Sequence, residues 1–440
     1  MKTKEQSLMH RVISNTGWQI GQNIYSMLLS LIVGSLSARY LGPSNYGILG
    51  YGATLVTLFS SISKLGMDSV VVNEIVKKKE NSGIYLGTAI VMRLIASVFS
   101  VLCVSIVVML MEPENKLLQL VTFLQAISLV LQVHEVFNYW FQVELKSKYY
   151  VIASILGLTI MSAWRIYLLA TGASVQWFAL SSSIQAGVVM VVTLLIFIKL
   201  KEVKLRFSIE AGKMILSKSH HFIISSIAIT LYMQTDKMML GKMVGTEIVG
   251  YYTAAMTIAT LWEFVPGAIV NSVRPVIIAD REEHYEKYIR KIQLLMLMMT
   301  FMSVGVGIVV TLLDKVAIII LFGEKYLSAA PVLAVLIWST GFAQIGTARS
   351  IWIVAEDYNP YQKYMVIMGA IVNALLNYFG IRFFGMIGAA YATLLSQAFV
   401  QFIAPLFFKK TRIFNEIYFS GYKLLKSVKW EEIQHMIKRK

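Results

Sequence analysis

The feature that most limits what this chain can fold into is a succession of long, nearly uncharged apolar runs separated by short polar breaks. A bilayer's hydrocarbon core is about 30 Å thick, so a helix that crosses it needs about 20 mostly apolar residues. On that criterion the first half is predicted to hold spans at 15–37, 44–66, 85–111, 117–141, 149–170 and 174–198. The second half is predicted to hold spans at 217–241, 248–272, 291–313, 329–354, 363–384 and 386–408. Charged residues are 15% of the chain and hydrophobic residues 57%, with a mean hydropathy of +0.66. A soluble domain has about 25% charged residues, so this chain lacks the polar surface to face water. The expected fold class is an all-α integral membrane protein with about 12 transmembrane helices.

The net charge of +16 has a membrane explanation. Basic residues collect in cytoplasmic loops during insertion. With the N-terminus inside, the predicted cytoplasmic segments hold 29 Lys/Arg and the outer ones only 7. Both termini are therefore expected in the cytoplasm. No basic stripe interleaved with aromatics stands outside the apolar runs, which argues against nucleic acid as a partner. Lys2, Lys4 and Arg11 precede an apolar stretch too long for a signal peptide and without a small-x-small cleavage site, so an uncleaved first span is expected. The single Cys103 lies inside an apolar run and forms neither an intramolecular disulfide nor a multi-cysteine metal site.

Six Lys/Arg fall between Lys199 and Lys218, near the middle of the chain. This run reads as a cytoplasmic connector (199–218) between two six-helix lobes, 1–198 and 219–408, around a central cavity, with a basic cytoplasmic tail at 409–440. A weak parallel repeat supports the division. Leu41-Gly42-Pro43-Ser44-Asn45-Tyr46-Gly47 and Val244-Gly245-Thr246-Glu247-Ile248-Val249-Gly250 occupy the same topological position in the two halves. Transporters built from such repeats bind substrate between the halves and alternate access by rocking them. In the tail, Ile413, Ile417, Leu424, Leu425, Val428, Ile433 and Ile437 alternate with lysines, as in a basic amphipathic helix on the inner leaflet.

Ionisable groups at bilayer depth cost about 2.5–3.5 kcal/mol each and call for a partner or an aqueous cavity. Arg93, His134, Glu135, Arg165 and Asp236 lie within predicted spans, while Lys64, Lys237 and Arg349 lie nearer a surface, where snorkelling or an ion pair that fixes packing accounts for them. Neutral polar residues also line up at helical spacing: Asn15, Gln19, Gln22, Asn23, Ser26 and Ser30 in span 1, Glu135, Asn138 and Gln142 in span 4, Asn373 and Asn377 in span 11. Several such stripes in one chain indicate a hydrated cavity, and its arginines suit an anionic, polar substrate. There is no G-x-x-x-x-G-K-[ST] loop and no H-E-x-x-H or zinc-spaced His/Cys set. No enzyme activity and no cofactor or metal are expected, and energy must come from an ion gradient or from product consumption.

Specific segments carry a family resemblance. Arg39-Tyr40-Leu41-Gly42-Pro43-Ser44-Asn45-Tyr46-Gly47, Tyr139-Trp140-Phe141-Gln142-Val143-Glu144-Leu145-Lys146 and Asp236-Lys237-Met238-Met239-Leu240-Gly241 resemble stretches of bacterial polysaccharide flippases. So do Gly250-Tyr251-Tyr252-Thr253-Ala254-Ala255, Leu321-Phe322-Gly323 with Tyr326, and Gly385-Met386-Ile387-Gly388-Ala389-Ala390. The family is the Wzx-type oligosaccharide flippases, within the multidrug/oligosaccharidyl-lipid/polysaccharide exporter superfamily. The resemblance implies translocation of an undecaprenyl-diphosphate-linked repeat unit across the bacterial inner membrane for O-antigen, capsule or exopolysaccharide synthesis. On that reading Arg93, Arg165 and Arg39 face the diphosphate or acidic sugars, and Gln19, Asn23 and Asn138 contribute to substrate binding. Asp236 and Glu135 are candidate coupling carboxylates for H+ or Na+, and polysaccharide polymerase and chain-length proteins are expected partners. Twelve spans rather than fourteen weigh against a peptidoglycan precursor. A multidrug/cation antiporter of the same superfamily is the alternative, disfavoured because Arg outnumbers carboxylate at depth. A membrane polysaccharide polymerase is a further alternative, disfavoured by the short outer loops.

Overall fold

The computed structural model describes residues 2–200 and 203–423, with side chains described from Gly17 onward. Among these residues all regular structure is helical. The order in the first part is α1 (Lys2–Lys64), α2 (Asp68–Lys77), α3 (Ser82–Met111), α4 (Lys116–Leu131), α5 (Glu135–Val143), α6 (Ser147–Thr171), α7 (Val175–Ala179) and α8 (Ser181–Leu200). Then come α9 (Ile209–Met243), α10 (Thr246–Thr260), α11 (Phe264–Ile278), α12 (Tyr285–Leu312), α13 (Asp314–Phe322), α14 (Ala330–Ala355), α15 (Asn359–Ala398) and α16 (Ile413–Gly421).

Ten stretches among the described residues are long and apolar enough to cross a membrane. The two longest, of 61 and 49 residues, each hold enough chain for two crossings, and each is interrupted by a glycine. In α1 the break is at Gly42 (φ 70, ψ 171), followed by Pro43, which has no N–H to continue the helix. In α15 it is at Gly385 (φ 60, ψ −138). A positive φ strains any residue with a Cβ, so glycine is the side chain these corners need. The two limbs of α15 fold against each other: a Cβ on Gly388 would lie 1.9 Å from the Gly380 carbonyl oxygen. In a straight helix those positions would be about 12 Å apart.

Two spans expected as single helices are broken at mid-length by 3-10 turns. Gln132–His134 separates α4 from α5, and Leu261–Glu263 separates α10 from α11. For the second break the cause is local, because Pro266 cannot donate to the Trp262 carbonyl four residues back. The last predicted span ends in a π-turn over Phe399–Ile403.

The packing divides the chain into Met1–Thr230 and Leu231–Lys440. In the first unit α1 packs on α3, α4 and α6, and α8 packs on α4 and α6. An apolar core forms from Met67, Val71, Leu86, Val136, Phe141 and Ile215. The connector runs along the start of α3: Arg206 N–H donates to the Gly83 carbonyl at 2.9 Å, and Ser208 N–H to Thr88 Oγ1 at 3.0 Å. Backbone can come this close because Gly83 lacks a Cβ, which would lie 2.1 Å from the Lys204 carbonyl oxygen.

In the second unit α14 packs on α10, α12 and α15, around Ile292, Met299, Ile351, Trp352 and Met365. Of the amphipathic helix expected in the tail, α16 is formed and buries Phe414, Ile417 and Tyr418. Residues 424–440 of that expectation lie outside the described residues.

Candidate functional site

In the first unit the 3-10 break before α5 turns a set of polar side chains toward α3. Arg93, fully buried, donates from Nη2 to Glu135 Oε2 at 2.5 Å and from Nη1 to the Tyr139 hydroxyl at 3.0 Å. Glu135 also meets Lys64 Nζ at 3.2 Å, and Tyr139 donates in turn to Asp68. Glu135 and Tyr139 are one helical turn apart on α5, so one guanidinium reaches both. The cluster opens on a cleft of about 370 Å³ lined by Asp68, Asn73, Glu135, Asn138, Gln142 and Tyr150. His134 lies beside it, its Nδ1 3.4 Å from the Tyr150 hydroxyl. Two cations and two carboxylates thus form one connected network with access to a polar cleft.

The second unit holds a different arrangement. Asp236 on α9 is buried and accepts hydrogen bonds from the Tyr252 hydroxyl at 2.8 Å, from Asn377 Nδ2 at 2.7 Å, and from Thr393. All three donors are neutral, and Asp236 has no ion pair among the described residues. Asn373 and Asn377 are also buried, and each leaves its Oδ1 without a partner. A lone carboxylate beside unpartnered amide oxygens is a donor set that hard cations take. No group of three or more His, Cys, Asp or Glu able to hold a metal exists among the described residues.

The other expected site residues are spread over the first unit. Arg165 on α6 is half-buried, with Nε unpartnered and its charge near Tyr46. Arg39 is exposed just before the Gly42 corner, and Gln19 and Asn23 are exposed on the first limb of α1. The structure brings Arg93, Glu135 and Asn138 together around one cleft and holds Asp236 in its own cluster.

One surface reading is corrected. Arg349 does not snorkel: it is 5% exposed and donates from Nη1 to the Val400 and Gln401 carbonyls, at 3.0 Å each, in the π-turn. Lys64, its side chain 37% exposed, pairs with Glu135. Sequence reasoning passed over Asp68, Tyr139, Tyr252 and Thr393, whose partners lie on other helices. It also passed over Glu263, a carboxylate visible in the sequence at the middle of a predicted span. With Glu263 counted, Arg no longer outnumbers carboxylate at depth.

Long apolar helices, corners at glycine and polar clusters held within the helix packing define a multi-pass membrane protein. In fold the chain is similar to a lipid II flippase MurJ in an inward closed conformation, with 15% identity, 96% of this chain and 95% of that one covered, and a TM-score of 0.68. It is also similar to an inward-facing multidrug resistance MATE family transporter of the MOP superfamily, with 14% identity, 92% and 96% covered, and a TM-score of 0.64. The chain belongs to the polysaccharide biosynthesis protein family, which it matches over residues 12–279. It is 28% identical over 176 residues to the probable flippase AglR of Haloferax volcanii, and this match spans 39% of the chain and 37% of that relative's length.

Proposed function

We propose that this protein is a flippase that moves undecaprenyl-diphosphate-linked oligosaccharide repeat units from the cytoplasmic to the outer leaflet of a bacterial inner membrane. The observation that carries the proposal is membership of the polysaccharide biosynthesis family, joined to a fold like that of a lipid II flippase. Twelve crossings in two six-helix lobes with both termini inside fit the basic-residue asymmetry and the glycine corners that interrupt two of the ten long apolar stretches among the described residues.

In this reading the Arg93–Glu135 pair links substrate to driving ion. Arg93 suits a diphosphate, to which a guanidinium can donate two parallel bonds, but Glu135 occupies it in this structure. Protonating Glu135 would release the guanidinium for the diphosphate, so the protonation state of Glu135 would be linked to anion binding. Arg165, Arg39, Gln19, Asn23 and Asn138 would line the path of the sugars. Asp236, with Asn373 and Asn377, would take a Na+ or a proton during the cycle.

The likeness to MATE transporters supports a second reading, a drug/cation antiporter. Analysis of the lipid-linked glycan pool by mass spectrometry, with and without the gene, separates the two. The flippase reading expects a single undecaprenyl-diphosphate repeat unit to accumulate while surface polymer is lost. An unchanged pool with altered drug efflux would overturn it.

A further inference from the structure

Glu263 has no assigned role in either cluster. It closes the 3-10 turn that interrupts the apolar stretch Thr246–Ile278, 17 residues after its start and 15 before its end. At about 1.5 Å per residue that is about 25 Å from one end and 22 Å from the other, close to the middle of the apolar stretch. The side chain is half-buried and forms no ion pair among the described residues.

Charged groups on the elements packed against α10 and α11 stand toward their ends. Arg349 of α14 is held by backbone carbonyls, and Glu286, Lys287, Arg290 and Lys291 occupy the first two turns of α12. Asp314 and Lys315 begin α13, and Glu324 and Lys325 lie in the short helix after it. On its own span the nearest are Glu247 and Arg274, 16 and 11 residues away. Tyr252 donates to Asp236.

An ionised carboxylate at this depth without a counter-ion is costly, and the group relieves that cost by taking a proton. A 3-10 interruption in mid-helix, forced by Pro266, often marks a point where a helix flexes. We propose that Glu263 is a proton-loading site, separate from Asp236: protonated while sequestered from water, and ionised when conformational change opens it to an aqueous path. The inference deepens the transport reading by giving the second unit a proton carboxylate in addition to the Asp236 cluster, but its test does not require the glycan substrate.

Dicyclohexylcarbodiimide reacts with protonated carboxyls in apolar surroundings and leaves an N-acylurea adduct. The full-length protein in liposomes is treated across pH from about 5 to 9, digested, and the peptide containing Glu263 analysed by mass spectrometry. The expected result is modification of Glu263 that declines as pH rises, and no adduct on that peptide in Glu263→Gln. No modification at any pH, or equal modification throughout, would overturn the proposal. In translocation of lipid-linked glycan, Glu263→Gln is expected to flatten the pH profile, and Glu263→Asp to retain a displaced one. An unchanged profile in Glu263→Gln would equally overturn it. If the wild type labels with the expected pH dependence but moves no glycan, the flippase reading fails and the proton site stands.

Discussion

Arg93 Nη2 on α3 and Glu135 Oε2 on α5 are held 2.5 Å apart, with the arginine wholly buried and the carboxylate 24% exposed on its cleft side. The asymmetry means that water, protons or an anion reach the pair through the glutamate. Breaking such a pair costs more than the pair itself contributes, because one charge stays behind in a poor solvent. Glu135→Ala is therefore expected to destabilise the protein by about 3–5 kcal/mol. The double change Arg93→Met/Glu135→Ala should recover a substantial part of that loss. Melting of the purified variants in one detergent, treated as a double-mutant cycle, gives the coupling directly. A loss in the double variant equal to the sum of the losses in Arg93→Met and Glu135→Ala would show that the pair is not coupled.

The Asp236 cluster predicts a dependence on solution cations. If Na+ binds among Asp236, Asn373 and Asn377, replacing choline chloride by sodium chloride raises stability, by about 1.4 kcal/mol at ten times the dissociation constant. Asp236→Asn keeps the side chain's shape and its place among Tyr252, Asn377 and Thr393 but removes the charge. Its stability is expected to be the same in both salts. A sodium effect of undiminished size in Asp236→Asn would exclude this cluster as the binding site.

The Gly380–Gly388 contact predicts a backbone clash that side-chain motion cannot relieve. A Cβ at Gly388 meets the carbonyl oxygen and carbon of Gly380 at 1.9 and 2.2 Å, whereas at Gly305 on α12 nothing lies within 4 Å. Gly388→Ala is expected to cost about 1–3 kcal/mol, as overpacking does. Gly305→Ala should be neutral or stabilising by up to about 1 kcal/mol, from helix propensity alone. Fluorescence-detected size-exclusion after graded heating reads both, and similar midpoints would contradict the close approach of the two limbs of α15.

How much was legible in the sequence differs between the fold and the site. Apolar runs of about 20 residues identify membrane helices because the bilayer imposes a length, and Gly42-Pro43 signals the corner in α1 by its own conformational demands. Glu135 and Asn138 were visible because they share a helix face. Asp236 was visible as a charge at depth, but its partners were not: Tyr252, Asn377 and Thr393 come from three segments, the farthest 157 residues away. No periodicity encodes that meeting. Arg349 misled for a related reason, since its partners are carbonyls of a π-turn that no residue pattern announced. Glu263 needed no structure to be noticed; the structure adds that it stands without a counter-ion at a helix break.

Outside the apolar stretches, Asp280 in the α11–α12 turn gives a pH dependence with a defined sign. Lys291 Nζ lies 2.6 Å from its carboxylate and donates to the Val276 carbonyl at 3.0 Å, joining the turn to the end of α11. The hydrogen bond from Lys291, then its charge and those of His284 and Lys287, hold the Asp280 carboxyl below the usual aspartate range. A folded pKa below the unfolded one stabilises the protein fully above the unfolded value, near pH 3.9, and that contribution is lost as pH falls through the folded value. Asp280→Asn should therefore lower stability at pH 7, by no more than about 1 kcal/mol because the pair is partly hydrated. The gap from wild type should close as the pH is taken below the usual aspartate range. Melting temperatures of both proteins over that range test it, and a gap that widens toward acid would reverse the sign assigned to Asp280.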